Sequence, residues 1–219
     1  MRKTQSSLFI TAFLFVLICS SCTKNVQQVV EVYHNNFESN DLTGIRNGML
    51  DSFNNTQVLG MYNASGFDLV VNDLPQHDMV EITFDLYIHD SWDGNKLGID
   101  SVDGPDIWQM KVDDELYINT TFSNAICPTT TFCPPQSYPS DYLNSNHNPR
   151  QGASKIDLPS VCHDTSSSTL YKIKKNIRHT GSKLTLQCMD QLVQLNTSDP
   201  QCDESWSVDN INIRIITLK

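Results

Sequence analysis

Between Met79 and His89, apolar and polar residues alternate without a break. Val80, Ile82, Phe84, Leu86 and Ile88 share one face, while Glu81, Thr83, Asp85, Tyr87 and His89 share the other. A period of two is what a pleated strand with one dry and one wet side requires. The same rhythm recurs along the chain. Strands are predicted over Val30–Phe37, Phe67–Leu74, Ile107–Val112, Leu116–Phe122, Leu170–Arg178, Lys183–Met189 and Val208–Leu218. Hairpins are predicted around Asp113-Asp114 and around Thr180-Gly181-Ser182. Many short strands separated by turn residues specify an all-β chain. The expected architecture is an antiparallel β-sandwich of the jelly-roll type, with its dry faces packed inside.

One stretch breaks the rhythm. Residues 123–168 show little periodicity and hold Pro128, Pro134, Pro135, Pro139, Pro149 and Pro159. Structureless loops of this length are usually functional or disordered. This one carries Cys127 and Cys133, which enclose a proline-flanked loop and are expected to pair. Tyr138 and Tyr142 on it are candidates to stack on a ligand, with Trp92 from an earlier loop. Trp206 is a further aromatic candidate that suits the core better. The alternative is an insertion that only covers a sheet edge.

The amino-terminal residues bear on location. Arg2 and Lys3 precede an apolar run from Leu8 to Cys19, followed by Ser20-Ser21-Cys22. This is the layout of a secretory signal over 1–21, and the run is shorter than the roughly 20 residues that a spanning helix needs. A cysteine just after the cut resembles the bacterial lipoprotein arrangement, which makes Cys22 the expected lipid anchor. Plain secretion is the alternative. Residues 22–29 then read as a tether to a domain over 30–219. That length suits a single core.

The chain has seven cysteines. In an oxidising compartment they imply disulfides. Besides Cys127 with Cys133, Cys188 and Cys202 bracket a loop and are the second expected pair, which leaves Cys162 unmatched. Apart from Cys19-Ser20-Ser21-Cys22 at the signal, no C-x-x-C pair occurs to support zinc. Sequons at Asn54, Asn63, Asn119 and Asn196 carry little weight in a chain rich in Asn, Ser and Thr. The formal net charge is −10, and loss of Arg2 and Lys3 makes it more negative. Such a chain gains nothing from phosphate backbones, which argues against nucleic acid as a partner.

Acidic residues suggest calcium in two places. His89-Asp90-Ser91-Trp92-Asp93-Gly94-Asn95, followed by Asp100, Asp103 and Asp106, supplies hard oxygen ligands. An Asp93-Gly94 turn explains the same segment without metal. In the last strand Asp209 has the parity of Ile211, Ile213 and Ile215, which would turn its carboxylate toward the core. A buried carboxylate needs hydrogen bonds or a metal. Glu38 closes the first strand, and the terminal strands of a jelly roll often lie side by side. Glu38 and Asp209 are therefore expected to share a cation, unless Asp209 caps a turn after Asp203-Glu204-Ser205-Trp206.

Asp90-Ser91-Trp92-Asp93-Gly94, Gly104-Pro105-Asp106-Ile107-Trp108, Thr121-Phe122-Ser123-Asn124, Gln136-Ser137-Tyr138-Pro139 and Asp203-Glu204-Ser205-Trp206-Ser207-Val208-Asp209-Asn210 occur in that order. Together they resemble secreted concanavalin-like jelly-roll modules. The Phe37-Glu38 start and the Val208-Asp209-Asn210 finish are similar to MAM and carbohydrate-binding jelly rolls. The resemblance spans about residues 30–219. It implies a structural calcium and varied ligands.

Catalytic motifs are missing from the sequence. The E-x-D-x-E of sandwich glycosidases, G-x-S-x-G and H-E-x-x-H do not occur. The expected function is a non-catalytic module at the cell surface or outer membrane that binds a glycan or surface ligand. The alternatives are a structural lipoprotein subunit that docks onto an outer-membrane or adhesion complex and, behind it, a polysaccharide-degrading enzyme.

Overall fold

The computed structural model describes residues 25–96, 104–127, 133–162, 167–194 and 197–219. Cys22, Asp100 and Asp103 lie outside the described residues. The strands are β1 (Val26–Asn35), β2 (Ile45–Arg46), β3 (Leu50–Phe53), β4 (Thr56–Tyr62), β5 (Gly66–Val71), β6 (Met79–Asp90), β7 (Ile107–Val112), β8 (Glu115–Thr121), β9 (Lys155–Leu158), β10 (Ser168–Arg178), β11 (Leu184–Asp190) and β12 (Glu204–Leu218). A single helical turn, α1 (Pro200–Asp203), precedes β12. Four residues read from sequence as tether, 26–29, belong to the first strand.

The strands form the antiparallel sandwich that the alternation requires. One sheet runs β3-β4-β12-β6-β10-β9, and β1 continues the β4 edge along the other half of β12. The second sheet runs β2-β5-β11-β7-β8. The chain crosses between sheets at most connections, as in a jelly roll, and the connection from β10 to β11 is one of them, so the hairpin predicted around Thr180-Gly181-Ser182 does not form. The inner faces meet as expected: Ile82, Leu86, Ile213 and Tyr171 from the first sheet pack against Leu69, Met110 and Leu186 from the second, all buried. At the centre Trp108 and Trp206 meet edge to face, with ring centroids 5.7 Å apart. Gly66 is required where β5 meets β11, because a Cβ there would run into the Cys188 carbonyl.

The parity argument for Asp209 fails at a bulge. Asp209 pairs with Asp85 and Asn212 with Thr83, so β12 carries one extra residue in this interval. Asn210 absorbs it with φ at 54°. An added residue reverses which side chains face inward. Trp206 and Val208 point to the core before the bulge, and Ile211, Ile213 and Ile215 after it. Asp209 therefore lies on the outer side of the sheet, beside Asp85.

A second apolar cluster covers part of that outer face. Phe53, Val58, Met61, Tyr87 and Leu170 form it, and Leu158 and Val161 lie over it. His89 sits against the cluster, fully buried, with its ring centroid 4.5 Å from that of Phe53. The Ser168 hydroxyl donates to the Pro159 carbonyl at 2.7 Å, so it accepts from His89 Nδ1 at 2.9 Å. His89 Nε2 is then left to accept from the Ser207 hydroxyl at 2.8 Å.

Among the described residues the disulfides are Cys127–Cys133 and Cys162–Cys202. The expected Cys188–Cys202 pair does not form. Cys188 faces inward from the middle of the second sheet, buried and free. Cys202, on α1, instead ties down the segment that follows β9 and covers the outer cluster.

Candidate functional site

Glu38 and Asp209 come together through β4. At the end of β1, Asn35 Oδ1 accepts the Phe37 amide at 2.8 Å, and Phe37 turns with φ at 59°. This buries the Phe37 ring and leaves Glu38 facing outward. Glu38 Oε1 accepts the Gln57 amide at 3.0 Å and the Thr56 hydroxyl at 2.5 Å. The same hydroxyl lies 3.4 Å from Asp209 Oδ2. One hydroxyl proton cannot serve two carboxylates equally. The bonds from Thr56 and Gln57 hold the Glu38 carboxyl below its ordinary range. Asp209 is pushed up to about 6, mainly by burial, with the Asp85 and Glu38 charges adding to it. Carboxylates crowded around a hydroxyl are hard oxygen donors of the kind calcium takes. Among the described residues no three His, Cys, Asp or Glu side chains converge closely enough to hold a metal alone. Backbone carbonyls and water would have to complete the shell.

Asp90 and Asp93 belong to a different place. Asp90 pairs with Glu204 in the register that pairs Asp85 with Asp209, five strand positions or roughly 17 Å away. Asp90 is buried and accepts the Val161 amide at 3.4 Å. Asp93 forms an ion pair with Lys96 at 2.8 Å. Asp106 receives the backbone amides of Asp93 and Gly94. Burial pushes the Asp106 carboxyl up, and it pushes up that of Glu204 more strongly, with the charges of Asp106, Asp203 and Asp93 adding to the effect. Sequence reasoning missed Glu204, because two of its three charged neighbours, Asp93 and Asp106, come from distant segments.

Trp92 does not form a ligand shelf. It is fully buried, and its indole N–H donates to the Ser205 carbonyl at 2.9 Å. Tyr142 is half-buried, with its backbone amide tied to Asn119 O at 2.6 Å. Tyr138 is half-buried as well, packed on Phe122 and Tyr171 with centroids 5.0 Å from each.

The described part of the long loop is held by Gln136, which the sequence marks only as the first residue of Gln136-Ser137-Tyr138-Pro139. Gln136 is fully buried. Its Oε1 accepts from the Arg150 amide at 2.9 Å, the Tyr171 hydroxyl at 3.1 Å and the Ser123 amide at 3.3 Å. Its Nε2 donates to the carbonyls of Gln151 at 2.9 Å and Tyr138 at 3.0 Å. The loop is thus fastened to β10 and held beside the sandwich edge.

This placement creates two adjoining depressions. A basin of about 400 Å³ lies on the outer face of the first sheet, lined by Thr83, Asp85, Lys172, Lys174 and Asn210. A cleft of about 210 Å³ lies between β8, β10 and the loop, lined by Tyr138, Ser140, Asp141, Lys174 and Lys175. Lys174 and Ile173 border both. Asp85 accepts from Lys172 at 2.7 Å and Asn210 at 3.1 Å, and Lys174 reaches Glu81 at 2.6 Å. Donors and acceptors therefore alternate across a rigid surface, with one tyrosine at its end.

No family model matches the chain, and no curated protein matches it. Among solved structures, the chain is similar to the C-terminal CBM6 of LamC, a marine laminarinase from Zobellia galactanivorans. The identity is 6% over 85% of this chain and 98% of that one, with a TM-score of 0.36. It is also similar to a family 35 carbohydrate binding module from Clostridium thermocellum. There the identity is 9% over 77% of this chain and 88% of that one, with a TM-score of 0.35.

Proposed function

We propose that the protein is a non-catalytic, extracytoplasmic module that binds a glycan along the trough formed by the basin and the cleft. The observation that carries this reading is the junction of the two depressions at Lys174. Side chains fixed on strands offer the hydroxyls of a sugar both donors, from Lys172, Lys174 and Asn210, and an acceptor, Asp85, while Asp141 adds a second acceptor from the loop. Tyr138 supplies apolar contact at the far end. Strands hold such groups more precisely than loops do.

Two disulfides suit a protein exported to an oxidising compartment. No helix among the described residues is long and apolar enough to cross a membrane. Export with Cys22 as lipid anchor, at the cell surface or outer membrane, completes the proposal.

Glycan-array binding followed by calorimetry tests it. Asp85→Ala and Lys174→Ala each remove a hydrogen-bonding group from the trough. Each is expected to weaken binding about tenfold, the cost of one charged hydrogen bond. Unchanged affinity in both variants would move the site elsewhere. No glycan binding, together with stably co-purifying proteins, would favour the docking subunit instead.

Calcium at Glu38 and Asp209 is the structural part of the proposal. Calcium at one hundred times its dissociation constant is expected to stabilise the fold by about 2.7 kcal/mol. The melting temperature should then rise by roughly 5–10 °C over the chelated protein. Asp209→Asn should abolish the rise. An identical melting temperature in calcium and chelator would remove the ion from the account.

A further inference from the structure

The histidines are scattered in sequence, but two of them meet. His77, in the connection from β5 to β6, places Nε2 2.7 Å from Nδ1 of His179, which directly follows β10. Both side chains are almost wholly buried. The other nitrogen of His77, Nδ1, lies 2.6 Å from the Pro75 carbonyl. A carbonyl only accepts, so this nitrogen carries a hydrogen. The other nitrogen of His179, Nε2, lies 3.0 Å from Asp113 Oδ2 and 3.2 Å from the Lys183 carbonyl. Both oxygens are acceptors, so this nitrogen carries a hydrogen too.

A neutral imidazole has one N–H, and a charged one has two. With the outward nitrogens already protonated, two neutral rings would oppose lone pair to lone pair. Two charged rings would oppose N–H to N–H. A 2.7 Å contact is a hydrogen bond only when one proton lies between the facing nitrogens.

We propose that His77 and His179 share a single proton, and that this proton makes the pair a clasp between the β5–β6 connection and the end of β10. The charge that the pair carries is balanced by Asp113, in the β7–β8 turn. Asp113 is itself held by the Thr185 amide at 2.8 Å. The other charged residues that reach the pair do so through their backbone. Lys183 offers its carbonyl to the His179 ring. Asp78 offers its carbonyl to the His179 amide at 3.2 Å and keeps its carboxylate on the Leu218 amide at 2.7 Å. The clasp also ties the turns at one end of the sandwich together, since Leu74 N donates to Ser182 O at 2.9 Å beside it.

Nitrogen-15 NMR of the histidine-labelled protein at neutral pH counts the ring protons. Three N–H protons on the two side chains, with His77 Nδ1 and His179 Nε2 both protonated, are expected. A count of two or four overturns the proposal.

Discussion

Asp190→Ala is expected to destabilise the protein by about 4 kcal/mol, because it leaves four donors without an acceptor, two of them, the Trp206 indole and the Leu192 amide, on buried residues. Asp190 ends β11 and is buried. Its Oδ1 accepts from Ala64 N at 2.7 Å and Leu192 N at 2.9 Å. Its Oδ2 accepts from the Trp206 indole at 2.7 Å and Ser65 N at 3.2 Å. One carboxylate thus ties the β4–β5 turn, the end of β11 and the central tryptophan of the core to one point. Burial still pushes its carboxyl up, against the pull of these bonds. In a domain of this size the loss corresponds to a fall of roughly 8–16 °C in melting temperature. Asp190→Asn should cost about half as much, since its amide keeps one acceptor oxygen and turns an N–H toward two donors. Calorimetry of both variants checks this. A fall of less than about 3 °C for alanine would mean that water replaces the carboxylate.

The second large effect is acid lability through His89. Burial pushes its imidazole down to about 3. An unfolded histidine takes up its proton near 6.5. Between these values the unfolded chain binds a proton that the native chain refuses. Stability is therefore full above about pH 6.5 and falls as the pH drops toward 3, by up to roughly 1.4 kcal/mol per pH unit. The total reaches about 5 kcal/mol. His89→Gln can accept from Ser207 and donate to Ser168, and it has no proton to gain. Urea unfolding of both proteins from pH 7 to 4 should show the native curve falling more steeply by about 3 kcal/mol. Parallel curves would show that the imidazole is hydrated in the folded state.

The two effects differ in how far sequence foretells them. Asp190 follows the alternating Leu184, Leu186 and Cys188, so a polar residue at an inward position is visible in the sequence. What it binds is not, because the Trp206 indole and the Ala64 and Ser65 amides come from distant segments. His89 falls on the wet face of β6 by its period, and that much is right. Its burial follows from the segment after β9 folding over that face, which no local pattern announces.

The candidate site divides in the same way. That Glu38 and Asp209 lie close together follows from terminal strands being neighbours, a property of the fold class. The direction of Asp209 does not follow, because an extra residue at Asn210 reverses the parity of β12 and is recognisable only against β6. Trp92 looked like a ligand shelf because an aromatic in a polar loop carries no mark of burial. The trough at Lys174 has no sequence signature. It exists because Gln136 draws a proline-rich loop against β10.

Sequence alone determined that this chain is a sandwich, which residues of most strands face inward, and that Cys127 lies within reach of Cys133. These are consequences of a two-residue period and of short separation along the chain. Only the tertiary structure decided the Cys162–Cys202 pairing, the side of the sheet that Asp209 occupies and the meeting of His77 with His179. Each of these joins groups far apart in the chain, and a hydrogen bond or disulfide between such groups is fixed by where the backbone brings them, not by what surrounds either one in the sequence.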